Sequence, residues 1–204
     1  MRAFRSIGRT ICIVLYAANA YAQNAPAFPQ APRFNLDDLE QLIESNDRSE
    51  LAQVLELLPE PLRANSTFIE SSNSAQGTSP NNPRVIAWSE AGQFAMSVNG
   101  DPATRGYNTI EIMQLRDGEF QFRRIQFPLE RDPGGKVIVD VEAPPTCAAC
   151  HGKYPRPIWQ EYPTWQGAFG SEDDHMSDDE RQLFASFKTH QRSHPIYRPF
   201  IFPA

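Results

Sequence analysis

The chain has 204 residues, with 19 Lys and Arg against 25 Asp and Glu, a formal net charge of −6 and three cysteines. An acidic chain of this kind is a poor ligand for phosphate backbones or anionic lipid surfaces. Three cysteines are too few for a disulfide framework, which excludes the small stapled secreted folds.

Residues 1–22 have the layout of a secretory signal. Arg2, Arg5 and Arg9 form a basic start, residues 11–18 a short apolar core, and Ala20-Tyr21-Ala22 an A-x-A cleavage site. The apolar core is shorter than the ~20 residues needed to span a bilayer, and no other segment qualifies. The expected mature chain has 182 residues, keeps 16 of the 19 cations and all 25 acids, and carries a net charge of −9. It is expected to be exported to the periplasm or beyond. It should have no stable membrane insertion after cleavage and no affinity for nucleic acid. A redox partner, if there is one, is expected to be basic.

Residues 23–33 are rich in Pro, Ala and Gln and read as a flexible leader. From residue 34 to 204 a single α+β domain is expected. Leu36, Leu39, Leu42 and Ile43 recur at helical spacing behind Asn35 as N-cap. Leu51, Val54, Leu55 and Leu58 form a second helix, capped by Ser49 or Asp47 and stopped by Pro59 and Pro61. Residues 64–83 read as a loop with a strand near 67–69. Residues 84–88 and 93–98 are apolar runs around Glu90-Ala91-Gly92, a hairpin signal. Residues 107–115 alternate in strand fashion, Asp117-Gly118 is a two-residue hairpin turn, and Phe120, Phe122 and Ile125 continue beyond it. Residues 137–141 complete an expected antiparallel sheet of four or five strands.

After Pro144-Pro145 the chain becomes aromatic, proline-rich and irregular, and contains Cys147-Ala148-Ala149-Cys150-His151. With Cys12 lost in the signal, Cys147 and Cys150 are the only thiols left. Cys-x-x-Cys-His is the attachment sequence of c-type haem. On a helical turn, positions i and i+3 share a face 5–6 Å apart, so both thiols can form thioethers on one porphyrin edge. His151, next to Cys150, can bring its imidazole beneath the iron as the proximal ligand. Ala148 and Ala149 let a flat group lie against the turn. A thioredoxin-like dithiol also uses Cys-x-x-Cys, but it opens a helix after a strand in a βαβ unit, whereas an antiparallel section precedes this motif. A structural zinc needs four ligands and no second cysteine pair exists.

The segment resembles a c-type cytochrome attachment site. More loosely, the Cys-x-x-Cys-His-Gly sequence followed by Arg156-Pro157-x-Trp159, Tyr162-Pro163-x-Trp165 and Gly167-x-Phe169-Gly170-Ser171 is similar to poorly characterised bacterial exported haem-attachment proteins. The resemblance implies one covalent haem c per chain, held by Cys147 and Cys150, with its iron bound by His151. The attachment segment is expected over 144–176. Small soluble cytochromes c are mostly helical and carry the motif near the mature N-terminus. Here it follows a sheet.

The sixth iron position has six candidates: Met96, Met113, Met176, His175, His190 and His194. Met96 and Met113, on strand-like runs, are expected in the core, and His190 and His194 at a helix C-terminus complement its dipole. Trp159, Tyr162, Trp165 and Phe169 are expected to wall the haem. Ser177-Asp178-Asp179-Glu180 is a capping box that starts a last helix, with an apolar tail behind it. The acids Glu172, Asp173 and Asp174 fit no calcium-loop pattern. Three functions follow: one-electron carrier, haem-based sensor or gas-binding module with an open sixth position, and exported thiol-disulfide protein using the cysteine pair. A haem peroxidase is a further possibility, which requires distal acid/base groups.

Overall fold

The structure is a computed structural model and describes residues 34–72, 74–157 and 176–201. The signal, the leader, the proposed aromatic wall and His175 lie outside the described residues. The fold is α+β. Helices α1 (Leu36–Asn46), α2 (Leu51–Leu57) and α3 (Glu60–Ala64) precede strands β1 (Ser66–Ile69), β2 (Arg84–Trp88), β3 (Phe94–Val98), β4 (Thr109–Arg116), β5 (Glu119–Gln126) and β6 (Val141–Glu142). Helix α4 (Pro145–His151) and helix α5 (Asp178–Gln191) follow. The six strands form one antiparallel meander in chain order.

Local chemistry explains the boundaries. Asn35 and Asp38 form a reciprocal capping box, with Asn35 Oδ1 accepting from the Asp38 N–H and Asp38 Oδ2 from the Asn35 N–H. The Leu36 N–H donates to Gln114 Oε1 at 3.2 Å, which ties the start of α1 to β4. Helix α2 starts behind Glu50 with no side-chain cap, so neither Ser49 nor Asp47 serves as expected. Asp47 instead closes α1 in the left-handed region. Arg131 and the Val137 N–H hold its carboxyl below the ordinary carboxylate range. The prolines end α2, but Pro61 then sits in the first turn of α3, where its missing N–H has no intrahelical partner to lose. The helical pair expected from the sequence is therefore a triplet.

The Asp117-Gly118 turn has φ of 54° and 81°. Two left-handed residues make the type I′ geometry that matches strand twist. The resulting register sets Met113 opposite Phe122 and Glu111 opposite Arg124. The strand expected over 137–141 divides into an isolated bridge at Val137 and the two-residue β6, which brings the count to six.

One sheet face carries the core. Val85, Ala87, Phe94, Met96, Val98, Ile110, Ile112 and Ile125 pack under Leu39, Ile43, Leu51, Val54, Leu55 and Leu62 from the helices. Each such aliphatic side chain contributes about 2 kcal/mol by leaving water. Phe187 of α5 and the tail residues Ile196, Tyr197 and Phe200 join the same cluster. Phe187 lies 5.4 Å from Phe68 and 5.1 Å from Tyr197, ring to ring. The opposite face carries Ile86, Trp88, Ala95, Met113, Leu115, Phe120 and Phe122, with Arg84, Ser97, Glu111 and Arg124 at one end. Among the described residues no helix is long and apolar enough to cross a membrane.

Candidate haem-attachment site

Strand β6 positions the motif. Its Glu142 pairs with Arg124 of β5 in register and by an ion pair, Arg124 Nε reaching Glu142 Oε2 at 2.9 Å. Three residues on, Pro145 opens α4 with its φ fixed near helical values. The helix is seven residues long, has no side-chain N-cap bond and buries no residue fully. Cys147 and Cys150 lie at i and i+3, on one helical face as the spacing predicts. Both are free thiols, Cys150 exposed and Cys147 half-buried.

Helix α4 stops immediately after His151 because Gly152 adopts φ +84° and ψ 178°, a region open essentially only to glycine. Residues 152–155 then turn back, and the Arg156 carbonyl oxygen meets His151 Nδ1 at 2.8 Å. A carbonyl only accepts, so the Nδ1 atom carries a proton in this contact, which leaves Nε2 as the ring nitrogen free for a metal. The ring stacks on Phe122, centroids 3.8 Å apart and planes within 19°. Its orientation is thus set from two sides: a backbone oxygen at one nitrogen and an aromatic face beneath.

Beyond Phe122 on the same sheet face lies a polar cluster. The Glu111 carboxylate pairs with Arg84 at 3.2 Å. Arg84 also donates to Ser97 Oγ at 2.7 Å and to Gln76 Oε1 at 2.9 Å. Gln76, fully buried, receives Ser97 Oγ at the same oxygen and donates to the Ser97 and Thr109 carbonyls. Burial pushes the Glu111 carboxyl upward against the pull of Arg84, Arg124, His151 and Arg105. Burial also pushes the Cys147 thiol up, and the Glu111 charge adds to the effect. A reactive dithiol needs the reverse, a thiolate stabilised by positive surroundings.

The expectations for the other ligands divide by face. Met96 is 1% exposed within the core, as expected. Met113 is not in the core. It is half-buried on the opposite face, across from Phe122 and so on the side of His151. His190 packs edge-on to Phe187, and His194 lies against Tyr197, so both belong to the core side. A cavity of about 180 Å³ sits elsewhere, lined by Phe34, Ser89, Gln114 and Arg116 among others. Sequence reasoning missed Phe122, Glu111, Arg84 and the Arg156 carbonyl. The first two were readable from the period-2 alternation combined with the two-residue turn.

No family model, no curated protein and no solved structure matches the chain.

Proposed function

We propose that the protein is an exported mono-haem c-type cytochrome that carries single electrons, with haem c joined through Cys147 and Cys150 and its iron bound by His151. The observation that carries this reading is the His151–Arg156 contact. Proximal histidines characteristically donate their second ring N–H to a carbonyl or carboxylate, which fixes the tautomer and the ring orientation and raises the basicity of the ligating nitrogen. The same arrangement is present here, on the helix whose two thiols have the attachment spacing. Cys150 and His151 are accessible enough for the group to be added to the folded motif. The haem, when bound, supplies the one-electron couple of its iron. The chain's own part is to hold Nε2 in place, exclude water on the Phe122 side, and set the local field through Glu111, Arg84 and Arg124.

The test is expression with haem-maturation machinery, followed by a denaturing gel stained for haem peroxidase activity and by intact mass. A stained band heavier than the polypeptide by one haem, lost in the double variant Cys147→Ala/Cys150→Ala, is expected. An unstained band at the polypeptide mass would overturn the reading. Carbon monoxide then separates carrier from sensor: a low-spin ferrous spectrum that carbon monoxide leaves unchanged supports the carrier, and fast tight binding supports an open-site sensor.

A further inference from the structure

We infer that the half-exposed apolar face of the sheet is the seat of the porphyrin, with Trp88, Met113, Leu115, Phe120 and Phe122 as its contact residues. This rests on the haem reading above and goes beyond it, because it names the surface that takes the flat group once Cys147 and Cys150 hold its edge.

An antiparallel sheet with one covered face normally turns polar residues to the other. This sheet does not. Its core face is closed by the helices, and the opposite face is apolar over most of its width. None of the apolar side chains on that face is fully buried, and Trp88 is 37% exposed. The register sets Trp88, Ala95, Met113 and Phe122 in one row across β2, β3, β4 and β5. Strands lie about 4.8 Å apart, so the row is about 14 Å long, comparable with the breadth of a substituted porphyrin. Leu115 and Phe120 pair beside it in the next row of the same face. An apolar patch of that extent, left half-open, marks a surface with an occupant.

The motif says which occupant. The His151 ring stacks on Phe122, at the end of the row, with centroids 3.8 Å apart. Its Nδ1 is engaged by the Arg156 carbonyl, so the nitrogen left for a metal belongs to a ring that rests on the apolar face. Helix α4 buries no residue fully, which leaves Cys150 exposed and Cys147 and His151 half-exposed at that end of the row. A group tethered at both thiols and bound by His151 has to lie beside α4, and the sheet surface that touches His151 is this one. The chemistry agrees. A macrocycle that is apolar over most of both faces gains by taking apolar side chains out of water. The rings of Trp88, Phe120 and Phe122 suit a π-faced group through offset or edge-on packing.

The experiment compares hydroxyl-radical labelling, read by peptide mass spectrometry, between the matured holoprotein and the same chain produced without maturation machinery. Trp88, Met113 and Phe120 should label several-fold less in the holoprotein. Ile138 and Ile201, exposed on other parts of the chain, should label equally in both. Unchanged labelling of Trp88, Met113 and Phe120 would overturn the proposal and leave the face to a protein partner or a second copy. Substitution gives a second reading. Met113→Glu places a carboxylate on the seat, so haem staining of the full chain should fall several-fold while the apoprotein keeps its Tm to within a few degrees. Met113→Leu, which keeps the surface apolar, and Ile138→Glu should stain like the natural chain. Full staining of Met113→Glu with an unshifted Soret band also overturns the proposal. If Met113→Glu does not fold, the labelling comparison decides alone. An unstained natural chain sinks the haem reading and this proposal together, whereas a stained chain with unchanged labels sinks this proposal alone.

Discussion

Arg84→Met isolates the ion pair at the centre of the polar cluster. Methionine keeps much of the aliphatic stem and removes the cation. Three hydrogen bonds are lost, to Gln76 Oε1, Ser97 Oγ and Glu111 Oε2. The first two leave little behind, because Gln76 Oε1 still accepts from Ser97 Oγ at 2.8 Å. The cost therefore falls on Glu111, left with its burial and without its nearest counter-charge. Removing one partner of a buried pair costs 3–5 kcal/mol. With 27% of the Glu111 side chain exposed, the low end applies, and we expect a loss of about 3 kcal/mol near pH 8. For a domain of this size that corresponds to a fall in Tm of about 6–12 °C. The pH dependence is the sharper part. The folded-state pKa of Glu111 is already raised, so its contribution favours the folded state below the unfolded pKa and is lost as pH rises through the folded pKa. Without Arg84 the folded pKa rises further, because burial remains and the largest opposing pull is gone. The gap between variant and natural chain should then be narrow near pH 4 and widen towards pH 8. Urea unfolding of the apoprotein at several pH values measures it. An equal gap at both ends of the range would refute the placement of the cost on the Glu111 anion.

Tyr197→Phe should destabilise the fold by about 1–3 kcal/mol, because the Gly100 N–H that donates to Tyr197 Oη at 3.0 Å would be buried without a partner; urea unfolding reads this directly. Burial holds the Tyr197 hydroxyl well above the usual tyrosine range, so no tyrosinate signal from it is expected in an alkaline absorbance titration while the fold persists. Gly152→Ala places a Cβ at φ +84°, a strain of about 1–3 kcal/mol. Helix α4 buries no residue fully, so the strain should be relieved locally. We expect a Tm close to that of the natural chain but weaker haem staining, since the turn that brings Arg156 to His151 is displaced; full staining would argue against that turn setting the ligand. Leu55→Ala, at a fully buried core position, should cost about 2–5 kcal/mol in urea unfolding and leave haem staining intact wherever the protein still folds.

The sequence by itself determined which thiols and which imidazole stand together, and most of the secondary structure. Cys147, Cys150 and His151 stand at a spacing that a single helical turn converts into a shared face, which is a property of local geometry alone. The Asn35 N-cap, the Ser177 capping box and the Asp117-Gly118 turn were legible for the same reason: each is satisfied by atoms within a few residues. Even the pairing of Glu111 with Arg124 and of Met113 with Phe122 follows from a two-residue turn. Periodicity does not say which face of a strand meets the helices. Met113 and Met96 look alike in sequence and lie on opposite sides of the sheet, because Met96 faces the helical layer and Met113 faces the motif. Pro61 read as a stop and became part of a helix, since a first-turn proline forfeits no bond. Only the tertiary structure decided that α4 lies on the face opposite the core, stacked on Phe122 and within reach of the Glu111 charge. That placement depends on β6 pairing with β5 through two residues, a contact too short to leave a pattern in the chain.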